Sequence, residues 1–403
     1  MAVKILVVES VSTAAELSAL ADDWRALAAA HGEGLPFRTW EWNDAWWKWF
    51  GERRFAVRDE LFVRTFRTND GKLVGVAPLV LVRRPGVGVP VMRGLEFFGA
   101  DPYVTELRGA LVNPAWERHV YRALGAHLEE HGSKWDWIRW QGIREESAGE
   151  RLLKDGHGVA LPKEVAAYRL PLEGTWDQFR ASRSRNMKES LRKCYNSLKR
   201  DGHAFELHVV RAPKDVPTAL ARFFDLHARR AATEGLVEHG DVFEDPASRG
   251  FLLDVCERLA QRDAVRIFEL RIGGAVVASR IGFALGSTLY LYFSGYDPAW
   301  ARYSVMTTTV AEAIRYAIAE GFASVHLSTG TDESKLRWRP TRTIYREGVE
   351  YVGGVRGWAA RFVRDVLVTR AASRLGPSVR HFFGRGRRAK KGKGKAAKGA
   401  PVR

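Results

Sequence analysis

The sequence predicts an α/β protein of the α+β kind, in which one unit of helices and mostly antiparallel strands occurs twice, followed by a basic tail. Three observations carry this. A turn followed by an apolar strand occurs at Gly71, leading into Leu73–Val80, and again at Gly273-Gly274, leading into Ala275–Ala284. A Gly-x-Asp-Pro turn follows an aromatic strand at Gly99–Pro102 and again at Gly295–Pro298. A helical pattern closes on Gly132 and on Gly321, each followed by an apolar strand, Trp135–Trp140 and Ser324–Ser328. The matched features keep the same order, and their spacing drifts slowly, which is the mark of a duplicated unit. The units are expected over residues 1–170 and 171–355, with the tail over 356–403.

The elements follow from residue types and periods. The start, Met1–Glu9, has an apolar run too short for a secretory signal, closed by Glu9. Trp42, Trp46 and Trp49 repeat at helical spacing within Trp40–Phe50, so they predict a buried helix face better than a sugar-binding platform. Leu61–Arg67 and Leu73–Val80 flank Asn69-Asp70-Gly71 as a hairpin. Trp176–Arg200 reads as one basic helix. The longest uncharged stretch, Ile281–Tyr296, is shorter than the roughly 18 residues of a spanning helix and is broken at Gly286-Ser287. It reads as a second hairpin. Gly357–Leu375 can form a helix with Trp358, Phe362, Val366 and Leu367 on one side and arginines elsewhere. From Gly384 onward Gly, Lys and Ala dominate, a composition that cannot bury enough apolar area to order.

Composition narrows the function classes. With 403 residues, 46% hydrophobic, 14 Trp and 20 Phe, the chain can build large cores. Its two cysteines, Cys194 and Cys256, support neither a disulfide framework nor a cysteine-rich zinc site and suit a reducing compartment. The net charge is +17, but residues 356–403 hold fifteen Lys and Arg against Asp365 alone, which is +14 of it. The nearly neutral remainder argues against a general nucleic-acid-binding body. The tail is expected to make weak contact with an anionic membrane or nucleic acid, or to act as a solubilising extension. The expected location is cytoplasmic, with possible contact at the inner face of the membrane.

Several motifs together resemble a known family. Leu35-Pro-Phe-x-x-Trp40-x-Trp42-x-x-x-Trp46-Trp47-x-x-Phe50-Gly51 is similar to the opening of the CelD-like proteins. The resemblance continues through Gly71-x-Leu-Val-Gly-x-Ala-Pro-Leu79, Phe98-Gly99, Phe224-Asp-Leu-His227-x-x-Arg230 and Tyr296-Asp297-Pro298. It ends at Gly330-x-x-x-x-Lys335-x-x-Trp338. It spans roughly residues 10–345 and implies tandem GNAT-fold acyltransferase units associated with cellulose and exopolysaccharide gene clusters. The sequence departs from the family at Tyr303-Ser304-Val305-Met306, where members often carry Ser-Pro-Gly, and at Ser334-Lys335, where they often carry Tyr-Lys. The related FemABX proteins join two GNAT-fold units and use aminoacyl-tRNA.

That resemblance implies acyl-CoA, most simply acetyl-CoA, as co-substrate, no metal, and an amine acceptor on a small molecule or glycan precursor. Alternatives are a FemABX-like aminoacyl transferase and a non-catalytic accessory protein of exopolysaccharide synthesis. Acyl transfer to an amine needs a hold on the donor pyrophosphate, a proton acceptor and stabilisation of developing charge. Ser304 as cap and Val305, Met306 and Thr307 as free N–H donors at a helix start form the donor-site expectation. His227, Tyr292, Tyr296 and Lys335 are the catalytic expectations. Arg230 and Asp297 are the substrate-binding ones, although Asp before Pro is also an ordinary turn residue. His326, within a strand, is expected to be packed. The second copy is expected to hold the donor, because His227, Arg230, Ser304 and Lys335 all lie in it.

Overall fold

Apolar runs separated by glycine and asparagine turns close into hairpins along most of the chain. The computed structural model describes residues 6–54, 57–86, 89–100, 103–233 and 240–362. In the first half the strands are β1 (Leu6–Val11), β2 (Arg53–Arg54), β3 (Val57–Leu61), β4 (Val63–Thr68), β5 (Leu73–Ala77), β6 (Leu79–Gly86), β7 (Val89–Phe97), β8 (Leu111–Val112), β9 (Trp137–Arg144) and β10 (Lys163–Pro171). In the second they are β11 (Phe205–Val210), β12 (Val265–Ile272), β13 (Ala275–Leu285), β14 (Thr288–Tyr296), β15 (Ser324–Thr329) and β16 (Thr341–Tyr351). The helices are α1 (Ala14–Ala19), α2 (Ala21–His31), α3 (Trp40–Phe50), α4 (Glu117–Glu130), α5 (Ala148–Arg151), α6 (Trp176–Ala181), α7 (Arg185–Arg200), α8 (Val216–Ala231), α9 (Pro246–Ala260), α10 (Val305–Ala319), α11 (Glu333–Leu336) and α12 (Gly354–Phe362). The described residues up to Val352 form one compact unit, and those from Gly353 belong to a second.

Twelve strands form one sheet in the order β11-β12-β13-β14-β15-β10-β16-β9-β7-β6-β3-β2, and β1-β4-β5-β8 form a smaller one. Every pairing is antiparallel except β14 with β15 and β7 with β9. Parallel neighbours need a crossover, and α10 and α4 supply the two. The two halves therefore match about the middle of the large sheet. There each half lends its last strand to the other: β10 pairs with β15, and β16 pairs with β9. Residue-by-residue pairing of β10 with β16 from Lys163↔Glu347 to Arg169↔Thr341 closes the seam.

Two layers of helices cover the second half of the sheet. On one face, Leu191 of α7 and Ile314 and Ala317 of α10 pack on Leu289, Leu291 and Val325. On the other, Trp42 of α3, Phe223 of α8 and Phe251 of α9 pack on Phe283, Tyr290 and Tyr292. The first half thus contributes a helix to the second half's core, and the tryptophan-rich α3 is a packing element. Its register differs from the expected one. Trp42, Trp46 and Trp47 are buried, whereas Trp49 is exposed and donates its Nε1–H to Asp254 at 2.9 Å.

Trp176–Arg200 is two helices, a correction to the single one expected. α6 ends at Ser182, and Ser184 restarts the chain by accepting the Met187 N–H on its side chain, as an N-cap serine does. α7 buries Met187, Leu191, Cys194 and Leu198 and exposes its basic residues. The first Gly-x-Asp-Pro turn, at Asp101-Pro102, lies outside the described residues. So do the end of the helix expected to reach Leu375 and the whole Lys/Gly/Ala tail.

Candidate active site

The second half holds a split in the sheet. β14 and β15 pair in parallel at Thr288↔Ser324, Leu289↔Val325 and Tyr290↔His326, and the pairing stops there. Beyond that point the strands' C-terminal ends lose each other's ladder, leaving facing backbone groups to be satisfied by something else. β14 also slips register against β13 between Arg280↔Ser294 and Gly282↔Leu291, a bulge of the sort that re-aims side chains beside a site.

A carboxylate from the first half enters this split. Glu106 Oε2 accepts the Tyr290 hydroxyl at 2.6 Å, the Ser328 hydroxyl at 2.6 Å, the Thr329 N–H at 3.1 Å and the Thr329 hydroxyl at 3.2 Å. The described residues place no hydrogen bond on its Oε1. The segment carrying Glu106 is pinned at the two residues before it. Trp42 Nε1–H donates to Thr105 Oγ1 at 3.1 Å, and the Tyr292 hydroxyl donates to the Val104 carbonyl. Tyr292 is therefore buried in packing and holds the Glu106 segment. It does not reach the split itself.

One guanidinium, that of Arg280, stands near this carboxylate, and a second, that of Arg230, stands near Arg280. The Arg280 side chain makes no hydrogen bond among the described residues, and its Nε is fully buried. Burial pulls its pKa down to about 10, with Arg230 pushing the same way and Glu106 and Asp332 opposing. Arg230, also lowered by burial, donates to Ser294 Oγ at 3.1 Å and lies 5.9 Å from the Tyr296 ring centroid. Arg230 and Tyr296 are thus brought together. His227, one turn before Arg230, is buried among Phe223, Phe243 and Phe293, with Nδ1 3.0 Å from the Ser294 carbonyl and Nε2 3.7 Å from Asp241 Oδ1. Helix α8 lies so close to β14 that a Cβ on Gly295 would meet the His227 backbone nitrogen at 2.4 Å.

The loop after β15 closes the other side. Lys335 donates to the Thr329 and Gly330 carbonyls and pairs with Asp332 at 3.0 Å. Its ammonium thereby fixes the curl of the loop. The buried ring of His326 stacks on Tyr290 with centroids 4.5 Å apart, and its Nδ1 accepts the Ser328 N–H at 3.0 Å. Burial, with Arg169 and Lys335 nearby, pulls its pKa down to about 3. A histidine depressed in this way is neutral when folded, so its contribution to stability is complete above the unfolded value and is lost as pH falls. Between the ordinary value of 6.5 and about 3, the loss should run at about 1.4 kcal/mol per pH unit. Denaturant titrations of wild type and His326→Gln across that window should diverge by this slope. Parallel curves would contradict the assignment.

At the start of α10 the expected cap is corrected. Ser304 lies at φ 54° and makes no side-chain cap, and its carbonyl already accepts the Thr307 N–H at 2.8 Å. The left-handed backbone is one glycine adopts more cheaply than serine. Val305 is buried, and Met306 and Thr307 are partly exposed. Arg337 donates to Thr307 Oγ1 at 2.8 Å and keeps a buried Nε without a partner, so a cation stands at this helix N-terminus. Asp297 is a turn residue. Its carboxylate accepts the Ala299 N–H at 3.0 Å and pairs with Arg229 at 3.4 Å.

The equivalent place in the first half is filled. β7 and β9 pair only at Gly94↔Trp137 and Leu95↔Ile138, and beyond them the chain at 108–110 lies against 141–142. A Cβ on Gly142 would lie 1.8 Å from the Arg108 carbonyl oxygen, and one on Gly109 2.4 Å from that of Gln141. One further cluster, His127, Glu130 and His131, sits at the end of α4, but Arg64 Nε donates to His127 Nε2 at 2.7 Å. A guanidinium thus occupies that imidazole lone pair.

Glu106 and Arg280 were not singled out in the sequence. Arg280 had a readable signal: it is the one charge in the 22 residues from Ala275 to Tyr296. Glu106 had none, since its partners are 184 to 223 residues away.

Residues 185–336 match the family described as Acetyltransferase (GNAT) domain. That stretch has a GNAT fold, and the first half repeats its strand arrangement about the middle of the large sheet. The crystal structure of FemX is similar over 85% of this chain and 97% of that one, with a TM-score of 0.55 and 11% identity. A tandem GNAT protein from the clavulanic acid biosynthesis pathway, solved without AcCoA, covers 86% and 99%, with a TM-score of 0.45 and 11% identity. L-PGS from Bacillus licheniformis covers 88% and 97%, with a TM-score of 0.45 and 13% identity. No curated protein matches the sequence. The matched GNAT stretch holds α7 to α11 and with them the open split, whereas the filled one lies outside it.

Proposed function

We propose that the protein is an acyltransferase that uses the split between β14 and β15 to move an acyl group from acyl-CoA to the amine of an acceptor carrying an anionic group. The observation that supports this best is the Glu106 carboxylate, held by four hydrogen bonds on Oε2 in an open strand split beside the unpaired Arg280. In this reading the free Oε1 takes a proton from the acceptor ammonium. The amine then attacks the thioester carbonyl, the C–N bond forms, the C–S bond breaks, and the nitrogen's second proton passes to the leaving thiolate, giving the amide and the coenzyme A thiol. The N-terminus of α10, at Val305 and Met306, with Arg337 beside it, would hold the donor phosphates. Lys335 acts as a positioning residue for the loop, and Arg230 and Tyr296 line the acceptor side.

Arg280 names the acceptor's second feature. A guanidinium held in a cleft without a carboxylate partner is costly unless a ligand supplies the anion. Arg280→Gln should raise the acceptor KM by about 10–100-fold, the worth of one or two charged hydrogen bonds, and change kcat less. Equal KM values for wild type and variant would remove Arg280 from the site.

Calorimetric titration with acetyl-CoA tests the donor. Binding that is weakened in Arg337→Gln is expected. No binding, together with transfer from an aminoacyl-tRNA, would favour the FemABX-like reading, to which the exposed Arg185, Lys188, Arg192 and Lys193 of α7 lend some support. An acceptor among exopolysaccharide or cell-envelope precursors rests on the CelD-like resemblance.

A further inference from the structure

Helix α12 presents an apolar face to solvent. Val355, Trp358 and Phe362 are 82%, 68% and 46% exposed, and the first two are the most exposed large apolar side chains among the described residues. At 100° per residue they fall within one narrow arc of the helix. The Trp358 and Phe362 rings stack, with centroids 5.7 Å apart and planes 16° from parallel, so they form one continuous aromatic patch. Arg356 and Arg361 lie on opposite sides of that arc by the same helical geometry. The small residues Gly357 and Ala360 occupy the buried side.

Two aromatics side by side in water carry a cost that a partner would remove, and monomeric proteins seldom leave such a patch idle. The partner's chemistry follows from the charge around it. From Arg356 to the end, the sequence carries fifteen basic residues and Asp365 as its single acid. A protein partner or a second copy of this chain would have to neutralise that charge, and a second copy would double it. An anionic bilayer both accepts aromatic side chains at its headgroup level and attracts a polybasic segment. We infer that α12 is an interfacial membrane anchor, with Trp358 and Phe362 entering the headgroup region and the flanking arginines contacting anionic lipid. No helix among the described residues is long and apolar enough to cross a membrane, so this contact lies on the surface.

The inference extends the sequence expectation of weak, salt-sensitive tail contact by adding an apolar component that salt does not screen. The full chain should co-sediment with phosphatidylcholine–phosphatidylglycerol vesicles and much less with phosphatidylcholine alone. The double variant Trp358→Ser, Phe362→Ser should bind the anionic vesicles at least tenfold more weakly. At about 1 M salt, where the Debye length is about 3 Å, wild type should retain binding that the variant lacks. Unchanged thermal midpoints should accompany the loss, because the replaced side chains are exposed. Vesicle binding equal in the two proteins would overturn the anchor. So would tight binding to single-stranded RNA without binding to anionic vesicles, which would make the region a nucleic-acid contact.

Discussion

Glu106→Gln is expected to lower turnover by about 10²- to 10⁴-fold, or about 3–5 kcal/mol of transition-state stabilisation, while leaving the protein folded. The substitution is close to isosteric. A glutamine oxygen can accept the same bonds from Tyr290, Ser328 and Thr329 that Oε2 accepts now, so the split keeps its shape. The second carboxylate oxygen is replaced by an NH₂ group, which cannot take a proton from an ammonium. Thermal stability should therefore hold while the rate falls, and the limb of the pH–rate profile that reports the base should disappear. Wild-type turnover would make Glu106 a structural strut between the halves. An equally inactive Glu106→Ala that also melts earlier would be uninformative by itself, which is why the amide is the decisive replacement.

Parts of this arrangement were legible in the sequence because they are local. The repeated hairpins and strands follow from period and turn chemistry, and β4, β5, β13, β14, α10 and β15 form where those signals lie. The break at Ser182–Ser184 had its signal too, a serine three residues before Met187, but the run of basic residues around it reads as one continuous helix. Lys335 and Arg230 stand in motifs shared with the CelD-like proteins, Lys335 just past an apolar strand and Arg230 one helical turn beyond His227. Two other features left no local mark. The exchange of β10 and β16 at the seam joins residues such as Val165 and Tyr345, and antiparallel pairing across that distance carries no short-range signature. The sequence expectation names Tyr292 and not Tyr290, for a similar reason. Both are strand tyrosines two residues apart, and only their hydroxyl partners, Glu106 and the Val104 carbonyl, separate the one at the split from the one in the packing. Those partners belong to the first half, whose own split has no room for a ligand.

That closed split gives the second large effect. Gly142→Ala should destabilise the protein by about 3–5 kcal/mol, at the upper end of what one substitution does. Two costs add. Gly142 has φ 63°, which an alanine adopts with strain. The new methyl would also sit 1.8 Å from the Arg108 carbonyl oxygen, a backbone atom that cannot rotate aside as the end of a side chain can. The segment would have to lift away from β9, taking with it the Ala110 carbonyl that accepts from the buried Arg38. Arg38 would then lose a partner in the core, where an unmatched guanidinium is costly. Gly321→Ala in the second half makes a useful control, because Gly321 also has a positive φ, 80°, but nothing lies within 4 Å of its absent Cβ. It should cost about 1 kcal/mol, the conformational part alone. Denaturant unfolding of the two variants separates the terms. Similar losses at both positions would mean that the chain at 108–110 moves aside easily, and that the first half's split is closed only loosely.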